Sequence, residues 1–355
     1  WHMGNDGKPR PGYDRWVSFD GHGRIVDPVF NVDGEYVKQK GYISDLLNDL
    51  AVESVGVRRR KPWSLFLAHK AVHPDAEQAA DGTATMIGYV PAERHRGLYE
   101  GAVFPRKPNM LAPEQVVRDK PAWAEAMQLR RSDRSRAFLE ILGSGGQEEI
   151  RERARMMASV DEGVGRILEA LERTGQLDDT AILFLGDNGY FFGEHGLGPD
   201  RRFAYEEGIR SPFVLRYPRR VKAGTRLRHL VICQDIAPTL IELAGGRPGP
   251  HVQGRSLLPL LSGRRVPWRK SVLVEYWAEN AMPWLVGMTY RAVRTDRYKY
   301  IRWINRGRDS ELDELYDLEK DPFELKNLAG RRESAALQRR LRRELGKLTL
   351  AALGL

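Results

Sequence analysis

One stretch constrains the fold more than any other: Ala181 to Tyr190, which reads AILFLGDNGY. Five apolar or small residues in a row, Ala181 to Leu185, suit a short strand buried on both faces. Gly186-Asp187-Asn188-Gly189 then cuts the run off. The segment before it, Glu148 to Thr174, is a long helical pattern. Met156, Val160, Val164, Ile167, Leu168 and Leu171 form its apolar stripe, and Gly175 closes it. A helix feeding an apolar strand is the unit of an α/β protein with a mostly parallel sheet flanked by helices. In such sheets ligands bind beyond the carboxyl ends of the strands. A carboxylate beside an amide there suits a hard, oxygen-seeking cation. Asp-Asn-Gly is equally good turn chemistry, and the stretch alone supports both readings.

A second apolar run, Trp63 to Ala68 (WSLFLA), reads as another strand and leads straight into His69-Lys70-Ala71-Val72-His73-Pro74. Two strands ending in polar functional groups point to a site more strongly than either one. Upstream, Leu46, Leu47, Leu50, Ala51 and Val55 predict a helix over 44–57, with Ser44 as its N-cap and Asp45 in the first turn. The basic run Arg58 to Lys61 follows, where cations complement a helix carboxyl end. Residues 75–135 are rich in Pro, Arg and Gly and read as long surface loops, where specificity resides.

Beyond the central stretch, Ser211 to Arg216 predicts a strand. Ile232 to Ala244 predicts a helix with Asp235 as N-cap, ended by Gly245-Gly246. From about Val252 the pattern changes to short alternating strands: Ser271 to Trp277, then Met288 to Trp303 broken near Thr295-Asp296-Arg297 as a hairpin. The division expected is a catalytic α/β domain over 1–250 and a smaller antiparallel α+β subdomain over 251–355. The latter ends in an amphipathic helix. Arg331 to Lys347 holds seven basic residues against two acidic ones, so this segment accounts for +5 of the chain's +9, while Leu337, Leu341, Leu345 and Leu348 mark the inward face. A solvated helix face and a polyanion-binding patch both fit that charge.

No apolar run approaches the roughly 20 residues needed to span a bilayer. There is no zinc-ligand spacing, repeat or nucleic-acid motif. The single cysteine, Cys233, excludes an internal disulfide, leaves the redox compartment open, and reads as a packed core thiol. If His2, His73, Asp187, Asn188 and Arg201 converge, they supply metal ligands, two imidazoles and a fixed positive charge. That set suits attack on a tetrahedral oxyanion ester, with charge stabilisation and protonation of the leaving oxygen.

At this point the chain resembles the type I, formylglycine-dependent sulfatases of the alkaline phosphatase superfamily. Trp1-His2-Met3-Gly4 resembles the end of the family's Gly-Lys-Trp-His-x-Gly motif, HKAVHP the motif whose last histidine contacts the sulfate ester, and GDNG the second pair of calcium ligands. Arg201 stands four residues before Tyr205, where the family has its second active-site lysine. YEEGIRSPFVLRYP, DIAPTLIELAG and ELYDLEKDPFELKNLA are similar to further family segments.

The resemblance implies that Asp187 and Asn188 help hold a Ca²⁺ and that His73 and Arg201 bind the ester. His73 would protonate the leaving oxygen, and His2 would act as the base that releases sulfate. A guanidinium at position 201 keeps the charge but donates no proton near neutral pH, which shifts acid duty to His73. The family's nucleophile is a formylglycine in a Cys-x-Pro-Ser-Arg motif, which Cys233-Gln234-Asp235 does not match. The nucleophile and remaining calcium ligands are expected upstream of Trp1, so the 355-residue chain is expected to be inactive alone. The exposed strand edges left by such a truncation carry an aggregation risk.

The resemblance is nearest to bacterial glycan sulfatases similar to N-acetylglucosamine-6-sulfatase. It implies a sulfated carbohydrate partner, no nucleic acid, and a periplasmic or secreted location with any signal peptide upstream. Trp277, Glu279 and Trp284 are candidates to line a sugar site, or else hairpin core. The alternatives are a phosphodiesterase or phosphonate monoester hydrolase of the same superfamily, disfavoured by Asn188 where those enzymes carry histidine, and a non-catalytic polyanion-binding protein.

Overall fold

The structure is a computed structural model that describes residues 8–78, 84–111, 115, 120, 146–197, 200–277, 289–304 and 312–354. It divides into two compact units. One spans Trp1–Phe104 and Gln147–Thr180, the other Pro105–Gly146 and Ala181–Leu355.

In the first unit, β1 (Val17–Ser18), β2 (Val29–Val32) and β3 (Glu35–Lys38) form an antiparallel meander. Asp33 and Gly34 connect β2 to β3 with φ of 52° and 108°, the backbone a tight hairpin requires. Helix α1 (Ile43–Val55) starts one residue earlier than predicted. Tyr42 is the N-cap, without a side-chain bond, and Ser44 lies buried in the first turn, so Ser44 is not the cap. A ribbon of β4 (Asp75–Gln78) and β5 (Ala84–Gly88) follows. The long helix α2 (Gln147–Arg173) packs on α1, with Gly175 at φ 65° just past its end as predicted.

The α1–α2 approach is set by Gly163. A Cβ there would lie 2.0 Å from Asn48 Oδ1, while Asn48 Nδ2 donates to the Ser159 carbonyl at 2.9 Å. Ile25, Phe30, Ile43, Leu47 and Met156 form the core. The strand predicted over 63–68 is absent: those residues join no ladder, and Phe66 is 77% exposed. Trp63 and Leu67 are half-buried, Leu67 against the core around Ile25 and Met156, and the other four positions are exposed.

In the second unit β6 (Ile182–Leu185) pairs antiparallel with β7 (Phe213–Arg216), Leu183 facing Leu215. Phe184 and Leu185 are 37% and 39% exposed and Val214 60%, so β6 is not buried on both faces as expected. Every ladder among the described residues is antiparallel, and the parallel pairing expected of the central sheet does not occur among them. Short helices α3 (Glu206–Ile209), α4 (Ile236–Leu243) and α5 (Leu258–Leu261) come next. Asp235 precedes α4 and is fully buried. It accepts the Ile232 and Arg255 N–H groups and pairs with Arg269. Because Asp235 takes the inward position, Cys233, two residues earlier, is exposed and not a core thiol.

The C-terminal sheet runs β11-β10-β9-β8: β8 (Ser271–Tyr276), β9 (Thr289–Thr295), β10 (Tyr298–Ile304) and β11 (Leu312–Asp317). The hairpin turn falls at Asp296-Arg297 as predicted. Strand alternation gives two buried faces. Val293, Tyr300 and Leu315 meet Leu341 and Leu345 of α6 (Ala335–Ala352). On the opposite face Ala292, Ile301 and Tyr316 pack with Phe191, Leu197, Phe203 and Tyr205. The basic side of α6 is exposed, as its pattern predicts.

Candidate active site

His73 stands in the first unit, in a turn closed by its own N–H donating to the Lys70 carbonyl at 2.8 Å. Its Nδ1 lies 2.9 Å from the Pro74 carbonyl oxygen. A carbonyl only accepts, so Nδ1 carries the hydrogen and proton transfer falls to Nε2. The buried Lys70 Nζ donates to the same carbonyl at 3.0 Å. Burial pushes the Lys70 ammonium down to about 8, against the opposing pull of Asp75. Burial likewise lowers His69. The His22 ring stacks on His73, 5.0 Å between centroids and 29° between planes.

Asp187, Asn188 and Arg201 belong to the second unit. Asp187 is exposed, and its Oδ1 accepts the Asn188 N–H at 2.9 Å. The turn is clamped on both sides. Gly186 N–H donates to the Pro212 carbonyl at 3.1 Å, and Gly189 N–H to the Gly208 carbonyl at 3.0 Å. A Cβ on Gly189 would fall 1.8 Å from the Glu207 carbonyl oxygen, so only glycine fits. Arg201 is drawn to the same loop cluster. Phe191 N–H donates to the Asp200 carbonyl at 3.0 Å, and buried Asp200 accepts the Arg201 and Arg202 N–H groups. A carboxylate and an amide oxygen side by side on an exposed, rigid turn are hard donors that fit part of a Ca²⁺ ligand set.

The clamp rests on a buried polar network. Glu207 of α3 accepts from His195 Nε2 at 3.1 Å and Asn109 Nδ2 at 2.9 Å, and these donors hold its carboxyl below the usual range. Glu206 would be raised by burial, but Lys299 and Arg294 hold it at about 2. Lys299 Nζ lies 2.9 Å from Glu206 and 2.8 Å from Glu324. Lys120 donates to Tyr316 Oη and the Glu324 carbonyl. His195, with φ 58° and its ring 4.2 Å from that of Tyr205, is pushed down to about 3 by burial and the neighbouring Lys120 charge. It is therefore neutral at pH 7. His195, Glu207 and Glu324 offer ligand atoms within 4.8 Å of one another. Lys299 pairs with the Glu324 carboxylate, and Lys120, held below its ordinary value by burial, donates to the Glu324 carbonyl, so the cluster reads as a buried polar network.

Of the remaining candidates, His2, Glu279 and Trp284 lie outside the described residues. Trp277 is 54% exposed, so it is not hairpin core, and Arg291 sits over its ring at 5.1 Å. His22 was missed, although its place between Gly21 and Gly23 marks a special turn. His195, Glu207, Lys299 and Glu324 were missed because long-range charge pairing leaves no local spacing signal.

The sulfatase family model matches residues 1–246, and the chain belongs to that family. A second model, N-sulphoglucosamine sulphohydrolase C-terminal, matches 193–351. An N-acetylglucosamine-6-O-sulfatase of Bacteroides thetaiotaomicron is 28% identical over 400 residues, covering 96% of this chain and 67% of its own length. A solved structure in complex with its substrate D-glucosamine-2-N,6-O-disulfate superposes with TM-score 0.77 at 26% identity, covering 97% of this chain and 77% of the other. The phosphonate monoester hydrolase of Agrobacterium radiobacter shares the fold at TM-score 0.60 and 24% identity over 73% of this chain and 54% of its own. The chain spans about two thirds of the first relative's length and about half or less of several other curated relatives. These similarities place it in the alkaline phosphatase-like α/β class with a C-terminal antiparallel sheet.

Proposed function

We propose that the chain is the sulfate-ester-binding part of a sulfuric ester hydrolase acting on a sulfated glycan, with residues 1–250 as the catalytic domain and 251–355 as its supporting subdomain. One observation carries the reading. The sulfatase family match spans both the exposed, glycine-clamped Asp187-Asn188 turn and His73, whose tautomer the Pro74 carbonyl fixes. The relative named for N-acetylglucosamine 6-O-sulfate and the solved complex with a disulfated glucosamine support a 6-sulfated glucosamine as substrate class.

Asp187 and Asn188 would hold Ca²⁺ as two members of its oxygen set. When bound, the ion would polarise the sulfate and offset negative charge that grows in the transition state. Arg201 would grip an anionic ester oxygen through a charge that does not titrate. His73 would deliver the proton from Nε2 to the leaving alcohol oxygen while Nδ1–H stays on Pro74. His2 would be the base that releases sulfate. Trp277, Glu279 and Trp284 would border the sugar. A periplasmic or secreted location accompanies this reading; among the described residues no helix is long and apolar enough to cross a membrane.

Calorimetric titration with N-acetylglucosamine-6-sulfate and with a phosphonate monoester, each with and without Ca²⁺, tests the assignment. Calcium-dependent binding of the sulfate ester in preference to the phosphonate is expected. The reverse preference would transfer the chain to the phosphonate hydrolases that share its fold.

A further inference from the structure

We propose that His22 is a positioning residue for His73, the two stacked imidazoles acting as one proton-carrying pair at the ester site. This rests on the sulfate-ester reading of His73.

The loop that presents His22 is built for the purpose. Gly21 and Gly23, on either side, have φ of 52° and 64°, the left-handed backbone that glycine adopts without strain. A Cβ on Gly23 would come 2.4 Å from the Phe19 ring, and Gly23 N–H closes the turn on the Asp20 carbonyl at 3.1 Å. His22 therefore has little freedom to swing away. Its ring lies 5.0 Å from that of His73, tilted by 29°. His73 is thus held by an edge bond, Nδ1–H to Pro74, and by a stacked ring on one face. Edge and face together fix the direction of Nε2.

Stacking also links the two rings electrostatically. An imidazolium on a neutral imidazole is a favourable cation–π contact, whereas two imidazolium rings at this separation repel. A proton on one ring therefore disfavours a proton on the other, which is the coupling the proposal assigns to the stack. Among the described residues, Lys70 shares the Pro74 carbonyl with His73, and buried Asp75 follows, with Arg24 3.3 Å from it and itself bonded to Glu77. His69 adjoins Lys70 in sequence and is held neutral by burial. In the proposed pair, His73 is the member with Nε2 assigned to transfer.

Ring ¹⁵N shifts of the histidine-labelled 355-residue chain, followed across pH and then with added N-acetylglucosamine-6-sulfate, test the pairing. Wild-type His73 should show the Nδ1–H tautomer and a two-step titration. His22→Phe keeps a flat ring but no second proton site, and should give a single step. His22→Ala should lose about tenfold in affinity, a loss of about 1.4 kcal/mol, and His22→Phe should restore most of it. A His73 curve that is single-step in wild type and unchanged in His22→Phe would overturn the proposal, as would unaltered affinity in His22→Ala. His73→Gln separates the two levels of argument. Undiminished ester binding there would defeat the ester reading of His73, whereas the titration curves judge the ring pair on their own.

Discussion

Lys299 and Glu324 form an ion pair 2.8 Å across with both side chains out of solvent, at 0% and 1% exposure. Lys299 reaches Glu206 as well, at 2.9 Å, and the Glu206 N–H donates to Glu324 at 2.7 Å. A strand residue of the C-terminal sheet therefore anchors α3, the helix whose Gly208 carbonyl receives the Gly189 N–H behind the Asp187-Asn188 turn.

Removing one partner of such a cluster strands the other charges away from water. Lys299→Met should lower unfolding free energy by about 3–5 kcal/mol. Urea unfolding followed by circular dichroism measures it. A loss below about 1 kcal/mol, the range of an exposed pair, would show that the cluster is solvated and not the anchor described.

Gly189→Ala should be far more damaging than an ordinary surface substitution, because the new methyl meets backbone, the Glu207 carbonyl oxygen at 1.8 Å. The turn must shift, at a cost of about 1–3 kcal/mol. Any thermal stabilisation that Ca²⁺ confers should shrink with it. A variant with wild-type melting and an unchanged calcium response would contradict the clamp.

In the first unit, Gly163→Ala should destabilise although alanine is the better helix former by about 1 kcal/mol. The cause is the Asn48 side chain 2.0 Å from the new Cβ. In an Asn48→Ala background the same change should become neutral or stabilising, since the obstructing amide is gone. Equal effects in both backgrounds, read from denaturant midpoints, would refute the close crossing of α1 and α2.

Buried His195 has its folded pKa pushed down to about 3, below the ordinary value of 6.5. Between those values the unfolded chain binds more protons, so this group's contribution is complete above about pH 6.5 and declines as pH falls toward 3. Burial lowers His69 in the same direction. His195→Asn accommodates the left-handed backbone and cannot titrate. Its melting temperature should fall less steeply than wild type between pH 6.5 and 4.5. Parallel curves would remove His195 from the acid response.

The motifs that nominate the candidate site were legible because they are runs of contiguous residues. GDNG, HKAVHP and the Arg201 position could be read off the chain because each sits in a short, fixed spacing. The amphipathic tail, the long helix and the 295–297 hairpin break were legible for a similar reason: periodicity is local. What failed depended on partners. WSLFLA has strand composition but no ladder, and AILFL is apolar throughout yet leaves Phe184 and Leu185 more than a third exposed. Cys233 looked like a core thiol until Asp235 took the inward place beside Arg269. The network under α3 draws on residues from Asn109 to Glu324, and no sequence window contains it.

The most direct measurement is calcium-dependent binding of N-acetylglucosamine-6-sulfate by wild type and by Asp187→Ala. Asp187 is exposed, so its removal should leave the fold, checked by circular dichroism, intact. The account predicts that Ca²⁺ tightens ester binding to the wild-type chain and that Asp187→Ala abolishes this dependence. Equal calcium dependence in both proteins would contradict the assignment of the Asp187-Asn188 turn as part of the metal site.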